Sequence, residues 1–123
     1  MLLDSNTIIY AIKPEFIVLR DLIKKHNPAV SAISYVEVLG YHNLAVSDER
    51  DFLLFFSTTR IIPISQSVLK QAVQLRKQHK MSLGDSIIAA TALLNNLTLI
   101  TANIADFQWI NDVKLLNPLA MKI

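Results

Sequence analysis

Four of the ten acidic side chains stand apart in this 123-residue sequence: Asp4 in LLDSNT, Glu37 in SAISYVEVLG, Asp85 in MSLGDSIIAATALL and Asp106 in TANIADF. The other six (Glu15, Asp21, Asp48, Glu49, Asp51 and Asp112) lie in polar stretches where a charged helix face or a loop accounts for them. Each of the four has a local explanation as well. Ser34 with Glu37, Ser82 with Asp85 and Asn103 with Asp106 have the spacing of a helix cap and the third helical residue, and Asp4 can begin a turn into a helix. As a set they permit chemistry that none permits alone. Two carboxylates about 5 Å apart repel by roughly 3 kcal/mol at an effective dielectric of about 20. Several such pairs outweigh capping gains of about 0.5–2 kcal/mol each, so a convergent set must hold protons or a cation.

The donor types narrow that cation. The chain has no cysteine, and His26, His42 and His79 lack the spacing of a zinc motif. Oxygen ligands alone select a hard ion, Mg2+ or Mn2+. Such an ion lowers the pKa of a bound water, holds a phosphate oxygen and stabilises a leaving oxygen, which makes a phosphate ester the natural substrate. Ser5, Asn6, Thr101 and Asn103 flank the acids and can orient them or hold metal-bound waters, although ordinary turn chemistry fits each of them singly.

The elements that would position these residues alternate along the chain. Short runs rich in β-branched residues and leucine predict strands at MLLD, AVSAI, RIIPI, LTLIT and VKLLN. Helical patterns run over residues 7–12, 15–26, 35–45, 48–57, 67–80 and 83–95, with a short turn around 104–109. Strands that are apolar throughout, separated by helices, predict an α/β fold whose mostly parallel central sheet is buried on both faces. Pro63 within RIIPI predicts an edge position or an irregularity for that strand. In an open sheet of this kind the carboxyl ends of the strands gather along one edge, where ligands bind. Asp4, Glu37 and Asp106 follow strands and are drawn there; Asp85 follows a helix and must be brought by packing.

Composition sets the outer limits. The length predicts one domain over residues 1–123, with no internal repeat or linker. Two glycines, Gly40 and Gly84, leave no Walker loop or dinucleotide fingerprint, so no nucleotide cofactor is expected. The opening MLLDSNT has no basic leader, and no uncharged apolar run reaches the roughly 18 residues that span a bilayer; a soluble, cytoplasmic protein with no membrane association is expected. A net charge of +2 permits a polyanionic partner without requiring one. The densest basic run, LRKQHK, lies just before Asp85, and its Lys77 and Lys80 are candidates for contact with such a partner; cations favoured at a helix C-terminus also account for them. At 52% the apolar fraction exceeds the usual range of about 45–50%. The surplus is concentrated in EFIVLRDLI (15–23) and DFLLFFSTT (51–59), either as core or as an interface.

LLDSNTIIYAI, the Ser-x-x-Glu of SYVEVLG's surroundings, GDSIIAATALLNNLTLITANIADF and VKLLNP together resemble a PIN-domain protein, specifically a VapC-type toxin of bacterial toxin–antitoxin pairs, in order and over essentially the whole chain. The resemblance implies a three-layer α/β/α sandwich and a metal-dependent endoribonuclease with one or two Mg2+ or Mn2+ ions. It places Asp4, Glu37, Asp85 and Asp106 on the family's acidic positions, with Asn103 and Asp106 able to share or exchange the fourth role. It implies a homodimer that cleaves RNA and binds an antitoxin across an apolar groove. If residues 51–59 line that groove, removing the Phe52 and Phe55 side chains weakens antitoxin binding without unfolding the chain.

Two alternatives compete. DSNT and GDS faintly echo phosphatases of the haloacid dehalogenase type, but Asn6 stands where that family needs a second acid, and alanines stand where its later motif carries one. A non-catalytic RNA- or protein-binding domain of the same fold would have no reason to keep four mutually repelling charges.

Overall fold

The computed structural model describes residues 1–120. Five strands form one sheet: β1 (Leu2–Leu3), β2 (Ala29–Ser31), β3 (Ile61–Ile62), β4 (Leu99–Ile100) and β5 (Leu115–Leu116). Their order is β3-β2-β1-β4-β5, and every pairing is parallel. Parallel neighbours require crossovers, and helices supply most of that connecting chain: α1 (Ser5–Ala11), α2 (Ile17–His26), α3 (Ala32–Leu39), α4 (Val46–Ser57), α5 (Gln66–Gln78), α6 (Leu83–Leu94) and α7 (Ile104–Phe107). A short 3-10 turn, Pro118–Ala120, follows β5.

Alternation along the strands divides the core into two layers. Leu2, Ala29, Ile62 and Leu99 point to one face, where Val68, Ala72 and Leu75 of α5, Ile87 and Ile88 of α6, and Phe107 of α7 cover them. Leu3, Val30 and Ile100 point to the other, against Ile8 of α1, Leu22 of α2, Val38 of α3, and Phe52 and Phe56 of α4. The result is a three-layer α/β/α sandwich with a wholly parallel sheet. Because both faces of the sheet are covered, the strands are apolar throughout rather than alternating with polar residues. The strand ending before Pro63 is indeed at an edge.

The sequence-based boundaries shift where capping decides them. α3 begins at Ala32 and not at Tyr35, because Ser31, ending β2 with extended backbone, accepts a hydrogen bond from the Ile33 N–H. Ser34 is therefore not a cap; it lies buried in the first turn of α3. α2 stops at Asn27, whose positive φ of 44° lets its N–H return to the Ile23 carbonyl, with Pro28 directly after. α6 is buried along eight of its twelve residues, which explains its Ala- and Ile-rich sequence without any membrane role. Among the described residues, no helix is long and apolar enough to cross a membrane.

The two apolar surplus segments divide between core and surface. Phe52 and Phe56 are buried, 2% and 4% exposed, so the expectation that Phe52 can be truncated without harm to the fold is corrected: it is a core side chain. The solvent-facing apolar residues there are Leu54, at 68% exposure, Leu53 and, on α2, Ile17. Leu54 and the half-buried Phe55 line one open groove with Ala11, Ile12 and Ile23, about 440 Å³ in volume.

Candidate metal site

The sheet changes direction between β1 and β4. The chain winds outward through β2 and β3, then returns to place β4 on the other side of β1 and winds on to β5. The crevice beyond the carboxyl ends of β1 and β4 is the topological switch point, where such sheets bind ligands. Asp4 is the first residue past β1 and Thr101 the first past β4, and the Leu3–Ile100 register sets them side by side. The Thr101 hydroxyl donates to Asp4 Oδ2 at 2.5 Å. Asp4 Oδ1 accepts from the Thr7 N–H at 2.8 Å, so this carboxylate also caps α1. Thr101 Oγ1 in turn accepts from the Asn103 N–H at 3.0 Å. Asp4 is 4% exposed, and these donors fix the orientation of both its oxygens.

Glu37 arrives from the second layer. It projects from α3 with an exposed side chain, and its Oε1 accepts from the Ser5 hydroxyl at 2.7 Å. Ser5 Oγ also lies 2.9 Å from Ser34 Oγ. A hydroxyl has one proton, so Ser5 donates to the carboxylate while Ser34 donates to Ser5. Ser34 thus belongs to the support of Glu37, a role distinct from the cap that its spacing suggests.

Asp85 sits in the first turn of α6, half-buried, with Ser82 Oγ accepting its N–H at 3.1 Å; here the expected cap is present. Burial pushes the Asp85 carboxyl above its ordinary value, a hydrogen bond with Ser82 opposes this, and the charges of Asp106, Asp4 and Glu37 raise it further. Three carboxylates from three other elements therefore bear on this one group. Asp106, exposed in the first turn of α7, has no side-chain cap from Asn103; its N–H goes to the Asn103 carbonyl instead. Asn103 and Asn6 are both exposed.

Gly84 explains how a helix rather than a strand delivers an acid to this crevice. A Cβ on Gly84 would overlap the Glu37 carboxylate, so the missing side chain is what lets the start of α6 close on α3. The sequence carries a signal for this: a glycine in the first turn of an apolar helix, where no bend requires it, marks a close approach. Because the obstructed atoms are the movable end of Glu37, Gly84→Ala is expected to displace that carboxylate while leaving the fold in place. If these acids hold a cation, its affinity should fall roughly 10- to 100-fold, the scale of a misplaced ligand-supporting group. Melting temperature and a Mn2+ titration on the same preparation check this.

The donor set matches a hydrated hard cation. Among the described residues, no three His, Cys, Asp or Glu side chains form a group that could hold a metal ion directly. The acids share a field without being drawn into a chelate. Mg2+ typically keeps several waters and takes only one or two protein carboxylates, and Asp4 retains free lone pairs after its two hydrogen bonds, so all-oxygen, partly water-mediated ligation fits these residues.

Residues 1–108 match the PIN domain family. The chain belongs to that family. This PIN-domain chain is 26% identical to Ribonuclease VapC10 of Mycobacterium tuberculosis, with 93% of this chain and 90% of that protein aligned. It is similar to a chain of a toxin–antitoxin complex from Klebsiella pneumoniae, 32% identical with a TM-score of 0.78 over 99% of this chain and 98% of that one. VapBC2 of Rickettsia felis, solved with a DNA fragment from its promoter, shares the fold at a TM-score of 0.81 and 24% identity over 94% and 96% of the two chains. The PIN-domain assignment leaves the phosphatase alternative without support.

Proposed function

We propose that this PIN-domain protein is a Mg2+- or Mn2+-dependent endoribonuclease, the toxin of a toxin–antitoxin pair, and that Asp4, Glu37, Asp85 and Asp106 are its metal-binding and catalytic residues. The observation that carries the reading is that the charges of three carboxylates from three other elements, Asp106, Asp4 and Glu37, all bear on the Asp85 carboxyl near the switch point of the sheet. A fold gains nothing from assembling that repulsion unless a cation offsets it. The VapC10 name and the toxin–antitoxin title of the Klebsiella complex support the substrate class and the partner.

Asp4 and Asp85 are assigned as the principal ligands, with Glu37 and Asp106 holding metal-bound waters. One or two bound ions would supply an activated water and charge neutralisation at the phosphodiester. The chain's own part is positional. Thr101 and the Thr7 N–H hold the Asp4 oxygens, and Ser5 with Ser34 aims Glu37. The start of α6 adds the positive end of a helix dipole beside the acids. Glu37, exposed and hydrogen-bonded on one oxygen only, is the group placed to take a proton from an attacking water. Residues 1–123 are read as one domain, the last three of which lie outside the described residues. The protein is assigned to the cytoplasm as a homodimer whose exposed Leu54 and half-buried Phe55 help receive the antitoxin.

Incubation of structured RNA with wild type and Asp4→Asn, with and without Mg2+, tests the reading. Wild type is expected to cleave only with the ion, and Asp4→Asn not to cleave. Equal cleavage by both would show a contaminating nuclease. A folded wild type inert on all RNAs with either ion would favour a non-catalytic binding domain, which the lack of a preformed chelate among the described residues would then fit.

A further inference from the structure

The link between α5 and α6 is more ordered than a turn needs to be. After Gln78 the backbone is extended at His79 (φ −158°, ψ 144°), and Lys80 and Met81 lead to the cap Ser82, again extended. Arg76 Nε–H donates to the Met81 carbonyl at 3.3 Å, and His79 Nδ1 lies 2.9 Å from the Lys80 carbonyl, where it can only donate. The His79 imidazole lies flat on the Trp109 indole, with centroids 4.7 Å apart and planes 13° from parallel. Trp109 packs against the α5–α6 side of the core, and its Nε1–H donates to the Asp106 carbonyl at 3.1 Å. The stack therefore joins the segment leading into Asp85 to the turn that carries Asp106.

One face of each ring is covered by the other. Trp109 is half-buried behind, while His79 is exposed and leaves its outer face to solvent. Residues 76–81 around it line an open concavity of about 490 Å³ that includes Arg76, Lys77 and Lys80 and no acidic side chain. A rigidly backed aromatic face among cations suits an unpaired base with its phosphates, because every base has a π-face to stack and every phosphate attracts a cation. A duplex, with its bases already stacked on one another, offers no such face.

We propose that His79, backed by Trp109, is a stacking platform for one unpaired base of the RNA substrate, whose adjoining phosphates are held by Lys77 and Lys80. This rests on the ribonuclease reading above and adds a subsite to it. The hydrogen bond from Trp109 to the Asp106 backbone keeps the platform beside the acids, so the stacked nucleotide and the cut phosphodiester lie on the same single-stranded stretch. His79 acts on how substrate binds, not on the bond broken.

Binding of a short fluorescein-labelled single-stranded RNA, and of the same sequence as a duplex, is measured by anisotropy with the full-length protein in EDTA, where nothing is cut. His79→Ala is expected to weaken single-strand binding roughly 5- to 150-fold, the range for losing one stacked base, and to leave duplex binding unchanged. His79→Phe should restore it. Lys77→Ala and Lys80→Ala should each lower the log–log salt slope by about 0.7. With Mg2+ present, His79→Ala should raise KM and leave kcat unchanged. Unaltered single-strand affinity in His79→Ala overturns the platform, as does an equal loss for duplex, or a fall in kcat that accompanies a lower melting temperature. These outcomes are separable from failure of the ribonuclease reading: wild type inert toward RNA with either ion removes the cleavage assignment, while the EDTA titration still decides the platform.

Discussion

Asp85→Asn is expected to stabilise the metal-free protein at neutral pH and to reduce cleavage by more than about 100-fold, since even a partner standing behind a metal ligand costs roughly 10- to 100-fold when removed. The two effects have one origin. Burial, then the charges of Asp106, Asp4 and Glu37, hold the Asp85 carboxyl above its unfolded value. The folded state therefore binds this proton more tightly than the unfolded state does. The associated stability is fully present below the unfolded pKa and is lost as pH rises through the folded one, so Asp85 opposes folding once pH has risen past the folded value. Asparagine removes that opposition together with the proposed ligand. Chemical denaturation in EDTA, followed from the ordinary carboxylate pKa of 3.8 up to neutrality, should show wild type losing stability as pH rises and Asp85→Asn losing less. Added Mn2+ should stabilise wild type by about 2.7 kcal/mol at 100 times its dissociation constant and Asp85→Asn far less. A variant less stable than wild type in EDTA would mean that the charge is held by something other than a cation.

Phe52→Ala is expected to cost about 3–5 kcal/mol, a large share of the roughly 5–15 kcal/mol by which a small domain is stable. Its ring is 2% exposed and belongs to the layer formed with Leu3, Ile8, Val30 and Ile100. Phe56, one turn on, meets the Tyr35 ring at a tilt of 59° with ring centroids 5.0 Å apart, on the inward face of α4. Leu54→Ser lies on the outward face at 68% exposure and should change stability by no more than about 0.5 kcal/mol. If α4 receives the antitoxin, Leu54→Ser lowers its affinity while Phe52→Ala lowers the amount of folded protein. Urea unfolding of both variants, followed by calorimetric titration of the cognate antitoxin, separates the two. Similar unfolding midpoints for the two variants would contradict the packing of α4.

The difference between Phe52 and Leu54 shows where sequence stops being informative. Residues 52–56 are apolar without a break, so no period reveals which face turns inward; only the neighbours on α3 and the sheet decide it. The strands were legible because burial on both faces makes them continuous apolar runs, and Pro63 marked the edge because a proline cannot donate to a further ladder. Asp4 stood out as a candidate because it ends a strand. Asp85 stood out as a lone carboxylate at the head of an apolar helix, but no rule about strand ends places it, and the packing that brings it beside Glu37 depends on the absence of a Cβ at Gly84. Ser31 and Ser34 both precede an apolar helix at plausible cap spacings. The choice between them falls to the residue with extended backbone at the end of β2, which frees Ser34 to support Ser5 and Glu37. The His79–Trp109 stack joins residues 30 positions apart and has no signature in the sequence.

The central claim is that Asp4, Glu37, Asp85 and Asp106 together hold one or two divalent cations, and anomalous diffraction from crystals soaked in Mn2+ tests it most directly. The account expects a manganese peak in the crevice beyond β1 and β4, with an Asp4 or Asp85 oxygen at about 2.0–2.2 Å and waters bridging to Glu37 and Asp106. Manganese bound elsewhere with this crevice vacant, in protein that still cleaves RNA, would contradict it.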